Sequence, residues 1–220
     1  MSQLIVMPTS GGRTWRVAGG VACAGVLAVS AFALVACSAP EAEGGHATAG
    51  DVSFTGPYAQ RFADEYDADR TSDLARQILA TGEITDADVA EVRTRFADCL
   101  ESEGITLDAL DGNTMNYTVT VDDSNDAAEG HVTDCEYSSG LQPVYYLDLE
   151  MRGNPEHRDL AEVMTECFID KGVVPSDYTV ADYERDNADY TFPFAGTVEG
   201  DVVYSECLDD PLGLIAQAGE

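Results

Sequence analysis

Lysine and tryptophan are almost missing from this 220-residue chain, with Lys171 and Trp15 the single examples. Three histidines (His46, His131 and His157) and 11 Lys and Arg residues stand against 41 Asp and Glu, a formal net charge of -30. So acidic a body repels the phosphate backbone and excludes nucleic acid as a partner. No His-Glu-x-x-His zinc motif, CxxC pair or Gly-x-Ser-x-Gly elbow occurs. With Trp15 alone, the chain lacks the stacking platforms common in sugar clefts. Among so many carboxylates, a pair at glycosidase spacing arises by chance and identifies nothing. Neither a catalytic residue nor a cofactor is therefore expected.

What is present begins near the N-terminus. Arg13 and Arg16 precede an uncharged run from Val17 to Ala36, then Cys37, Ser-Ala-Pro and acidic linker sequence. A basic flank, an apolar run and small residues before a cut make an export signal. Twenty residues at 1.5 Å rise span a bilayer. Gly19, Gly20, Gly25 and many alanines nevertheless make this run weakly hydrophobic, and no basic stop-transfer cluster follows. A leader is expected in preference to a spanning helix. Leu34-Val35-Ala36-Cys37 resembles the lipobox of bacterial lipoproteins. That resemblance implies a diacylglycerol on the Cys37 thiol and cleavage just before it. Two acyl chains give a durable anchor where one is marginal. The expected location is the outer face of the bacterial cytoplasmic membrane, with the membrane itself as a partner through the anchor.

The expected organisation is a signal peptide over 1–36, a flexible tether over 37–56, a folded domain over 57–213 and a flexible tail over 214–220. Residues 38–56 are rich in Gly, Ala, Ser and Thr, too poor in large apolar groups for a packed core. All 41 acids follow the signal but only nine basic residues do, leaving the exported part at about -32. Setting aside Cys23 in the leader and Cys37, four cysteines remain: Cys99, Cys135, Cys167 and Cys207. In an oxidising compartment they imply two disulfides, in one of three connectivities.

Apolar periodicity predicts an α+β, mainly helical fold with one or two short β-hairpins. Tyr58, Phe62 and Tyr66, then Leu74, Ile78 and Leu79, mark a helix from Pro57 to about Ala80, with a kink near Thr71-Ser72. Thr85-Asp86-Ala87-Asp88 reads as a capping box for a second helix ending near Gly104. Ile105 to Leu110 and Tyr117 to Val121 read as strands joined through Asp111-Gly112. A short helix carrying His131 and Cys135 follows. Asn154-Pro155-Glu156 reads as the next helix start, Thr179 to Asp182 as another, and Gly200-Asp201 as the approach to a last helix stopped by Pro211.

A degenerate internal duplication is discernible between residues 86–137 and 154–208. Ala97 to Ile105 parallels Thr165 to Val173, each with a cysteine five residues before a glycine. Tyr-Thr-Val and then an acid-cysteine pair follow in both, at Tyr117 and Asp134-Cys135 and at Tyr178 and Glu206-Cys207. Related halves favour Cys99–Cys135 with Cys167–Cys207. Gly56-Pro57-Tyr58, Leu79 to Ala87, Phe96 to Leu100, Asn154-Pro155-Glu156 and Cys207 to Gly213 together resemble a group of uncharacterised lipoproteins from high-GC Gram-positive bacteria. The resemblance spans most of residues 56–213 and implies an extracytoplasmic bacterial protein; it transfers no active site.

Asp122 and Asp126, with Ser124 between them, are weak calcium candidates: Ala127 stands where a calcium loop needs glycine, and Thr133 replaces the closing Glu. Asp108, Asp111 and Asn113 form a second oxygen-rich turn. Tyr137, Tyr145, Tyr146, Tyr178, Tyr183, Tyr190, Phe192 and Phe194 crowd the second half beside acids. Most belong in a core, but rings and carboxylates together also suit a groove for a cationic peptide, an amine or an envelope protein. The expectation is a non-enzymatic binding or accessory module of unknown ligand. A small carboxylate-dependent envelope hydrolase and a purely structural envelope protein are the alternatives.

Overall fold

The capping box predicted at Thr85 closes in the computed structural model, which describes residues 3–6, 45–120 and 125–215. The Thr85 hydroxyl accepts from Asp88 N while the Asp88 carboxylate accepts from Thr85 N, and Thr179 and Asp182 repeat the arrangement. Each box satisfies two otherwise orphaned N–H groups at a helix start. Cys37, Asp122 and, apart from residues 3–6, the expected leader lie outside the described residues.

In chain order, β1 (Gln3–Val6) is followed by a hairpin of β2 (His46–Ala49) and β3 (Val52–Thr55) and by helices α1 (Ala59–Asp67), α2 (Asp73–Leu79) and α3 (Asp86–Ser102). Strands β4 (Ile105–Asp111) and β5 (Thr114–Val119) lead to α4 (Asn125–Ser139), α5 (Leu141–Gly153), α6 (Leu160–Asp170), α7 (Val180–Asp189) and α8 (Val198–Asp209). The fold is mainly helical, with eight helices, two small antiparallel hairpins and two disulfides among the described residues.

Several boundaries differ from expectation. The expected tether is already folded from His46 onward: Ala47, Ala49 and Phe54 are buried, and the Phe54 ring stacks on Phe62 at 5.7 Å. One large ring among small residues supplies the apolar contact a tether lacks. The first helix is two, because Ser72 lies in extended backbone and its hydroxyl accepts from Ala75 N at 3.3 Å, starting α2 afresh. Asn154-Pro155-Glu156 starts no helix. The Asn154 side chain instead accepts from Arg158 N and donates to Arg158 O, closing a loop, and α6 begins after Asp159. Helix α5 fills a stretch to which the periodicity assigned no element.

The hairpin turn falls at Gly112 and Asn113, with Asp111 opposite Thr114, Ile105 opposite Val119 and a bulge between Leu107 and Ala109. Strand β1 pairs antiparallel along the other edge of β5, giving the order β1-β5-β4.

Three apolar clusters form the interior. Phe54, Tyr58, Phe62 and Leu79 pack the β2–β3 hairpin on α1. Val92, Phe96, Leu100, Ile105, Met115 and Val132 bury the faces of α3, the β4–β5 hairpin and α4. Met164, Phe168, Tyr178, Tyr183, Phe192 and Phe194 form a third, aromatic cluster under α6, α7 and α8. Cys99–Cys135 ties α3 to α4, and Cys167–Cys207 ties α6 to α8, the pairing that the two-half reading favoured.

Candidate binding groove

The end of α8 sits against the β4–β5 turn. Gly112 has φ +53, a left-handed backbone that glycine adopts without strain, and a Cβ there would land on the Asp209 carboxylate. Asp209 Oδ1 accepts from both N and Nδ2 of Asn113, each at 2.7 Å. Burial pushes the Asp209 carboxyl up, and the two Asn113 donors oppose that. The next residue, Asp210, turns the chain: its two oxygens accept from Leu214 N at 2.7 Å and Ile215 N at 2.9 Å.

Between this junction and α6 runs a groove of about 660 Å³. Its acids are Asp111 from the hairpin, Glu166 and Asp170 from α6, Glu206 and Asp209 from α8, and Asp210. Leu149, Pro211, Leu212 and Ile215 supply its apolar floor, and the backing of Cys167 is pinned to α8 by the second disulfide. Two of the acids are neutralised at the rim. Lys171 Nζ lies 2.7 Å from Glu206 Oε2, and the Arg158 guanidinium grips Glu166 through two hydrogen bonds of 2.6 and 3.0 Å. That grip holds the Glu166 carboxyl below its ordinary range. Asp111 and Asp170 are exposed and have no hydrogen bond or ion pair to their carboxylates among the described residues. The groove therefore offers two uncompensated negative charges beside an apolar floor, the surroundings that an ammonium or guanidinium group on an apolar stem requires.

The aromatic residues do not line it. Tyr178, Tyr183, Phe192 and Phe194 are core, and the Tyr178 hydroxyl donates to the buried Asp186. Tyr137 lies under the Arg70 guanidinium at 3.9 Å, while Tyr146 donates to the buried Glu136. Tyr145 supports the groove from behind, donating to Gly112 O at 3.0 Å. Tyr190 alone of this set is exposed.

The histidines are placed apart. His131 Nδ1 lies 3.0 Å from Glu103 Oε2. His157 is exposed, its ring tilted against Tyr58 at 4.4 Å between centroids and its Nδ1 3.0 Å from Pro57 O. His46 is exposed at the start of β2. Of the weak calcium candidates, Asp126 falls in the first turn of α4. The second oxygen-rich turn is divided, because Asp108 accepts from Thr118 while Asn113 donates to Asp209. Among the described residues no cluster of three or more His, Cys, Asp or Glu is arranged to hold a metal ion. Also among the described residues, no helix is long and apolar enough to cross a membrane.

No family profile, curated protein or solved structure matches this chain. The groove's acids come from three separate stretches of sequence. Asp209-Asp210-Pro211 was legible only as a helix stop, because nothing local pairs it with Asp111 or Asp170.

Proposed function

We propose that this chain is a cell-surface protein held by a lipid on Cys37 at the outer face of the bacterial cytoplasmic membrane. Its folded part is a non-enzymatic binding module that takes a cationic group, from a peptide, an amine or an envelope protein, in the acidic groove. The observation that carries the ligand class is the pair of uncompensated carboxylates, Asp111 and Asp170, facing an apolar floor. A body of about -32 steers cations toward it.

The test has two arms. Titration of the processed protein with spermidine and with an arginine-rich hexapeptide should show saturable binding that weakens with salt. Replacing Asp111 and Asp170 together with Asn should lower the affinity roughly tenfold; absence of binding by the wild-type protein rejects the groove. Separately, acyl labelling should reach the wild-type chain and not Cys37→Ser, which should leave the membrane fraction. Equal labelling of both rejects the anchor.

A further inference from the structure

Strand β5 is the centre of its sheet only because Gln3–Val6 lies along its outer edge, with Val6 opposite Thr114, Ile5 opposite Met115, Leu4 opposite Asn116 and Gln3 opposite Tyr117. These four residues belong to the leader of the export reading given above, on which this inference rests. Export separates them from β5 twice over. The basic start of a leader stays on the cytoplasmic side while the body crosses, and cleavage before Cys37 then cuts the connection. In the processed protein that edge has lost its strand.

The vacated edge carries none of the devices that usually blunt one. Thr114-Met115-Asn116-Tyr117-Thr118-Val119 contains no charge and no proline, and the bulge of the hairpin lies on β4. Its polar groups can be assigned. Thr120 N donates to Gly104 O on the β4 side, and the alternation of an antiparallel ladder then turns the N–H groups of Met115, Tyr117 and Val119 outward. The three core clusters and both disulfides are built entirely from residues beyond the leader, so the processed chain keeps its fold when the edge opens.

We propose that the outer edge of β5 is a strand-docking site for an extended segment of a partner protein, antiparallel, uncharged along the pairing and basic on its flanks. The uncharged Gln-Leu-Ile-Val of β1, β-branched at Ile5 and Val6, shows the register and the residue types that the edge receives. The basic flanks follow from the surrounding charge of about -32, which also disfavours a second copy of this chain as the occupant. Main-chain hydrogen bonds would supply affinity, and the alternating side chains selectivity.

The probe is a fluorescent peptide carrying Gln3-Leu4-Ile5-Val6 between arginines, titrated by anisotropy into the processed protein and into the full chain. The processed protein should bind it, with slowed amide exchange at Met115 and Tyr117; the full chain, its edge occupied in cis, should not. N-methylation at the peptide positions of Gln3 and Ile5, whose N–H groups face β5, should weaken binding roughly tenfold or more, while methylation at Leu4 and Val6 leaves it nearly unchanged. Equal losses from both methylated peptides, or no binding by the processed protein, overturn the docking site. A processed protein that sediments as a dimer with Met115 and Tyr117 already protected assigns the edge to a second copy and also overturns it. A native product that retains its leader rejects the export reading and with it the vacancy. That result comes from mass spectrometry of the cell-derived protein and is distinct from any peptide result.

Discussion

Asn113 donates twice to one oxygen of Asp209, and this contact joins the β4–β5 turn to the end of α8 across 96 residues of chain. Because the carboxylate is half-buried beside glycine, its loss strands the Asn113 donors. Asp209→Ala should lower unfolding free energy by about 1.5–3 kcal/mol in urea titrations. Gly112→Ala should cost at least about 1 kcal/mol from its left-handed backbone, with more from crowding the same carboxylate. The two changes should be non-additive, since each displaces the same oxygen; strict additivity would mean that the contact contributes nothing.

Glu136 predicts a pH dependence. Its side chain is buried in α4 with the Tyr146 hydroxyl 3.2 Å away, and burial pushes its carboxyl up to about 7, opposed by that hydroxyl and by Arg70. Between pH 4.5, the ordinary value, and about 7 the folded state holds the proton more tightly than the unfolded chain. This contribution is therefore complete at low pH and lost as pH rises through 7, by about 3 kcal/mol. Glu136→Gln should be more stable than wild type at pH 8 and close to it at pH 4.5. A gap that does not change between those two pH values would refute the assignment.

The two disulfides close loops with sequence separations of 36 and 40 residues. Loop entropy gives each about 4 kcal/mol. Replacing Cys167 and Cys207 together with Ala should lower the unfolding free energy in urea titrations by that order, and mapping the remaining bond without reduction should recover only Cys99–Cys135.

Phe54 decides where the folded body begins. Its ring is buried against Phe62 and lies 6.1 Å from Tyr66. Phe54→Ala should cost about 3–5 kcal/mol by melting. A neutral substitution would return residues 46–55 to the role of tether.

Local chemistry was the legible part of this fold. Thr85 with Asp88 and Thr179 with Asp182 announce helix starts because a capping box is complete within four residues. Gly104 and Gly172 mark the ends of α3 and α6, and both sit at positive φ. Helix α5 escaped because Leu141, Pro143, Val144, Tyr145, Leu147 and Asp148 are all buried, so it shows no single apolar stripe to read. Asn154 misled for the opposite reason: it has the chemistry of a cap but turns it on Arg158. The aromatic residues of the second half pointed toward a groove, yet edge-to-face packing of Phe168 against Phe192 and Phe194 buries them without one. Asp111, Asp170 and Asp209 meet only through tertiary packing, which leaves no trace in spacing.

Each covalent staple stays within its own half of the body: one under α3 and α4, the other under α6 and α8. Asp111 and Asp170 therefore stand on banks that share no sulfur bridge, and the span between them is held by polar contacts such as those of Asp209. A guest touching both banks would act as the missing brace, making the molecule harder to pull apart in proportion to how much of that guest is present.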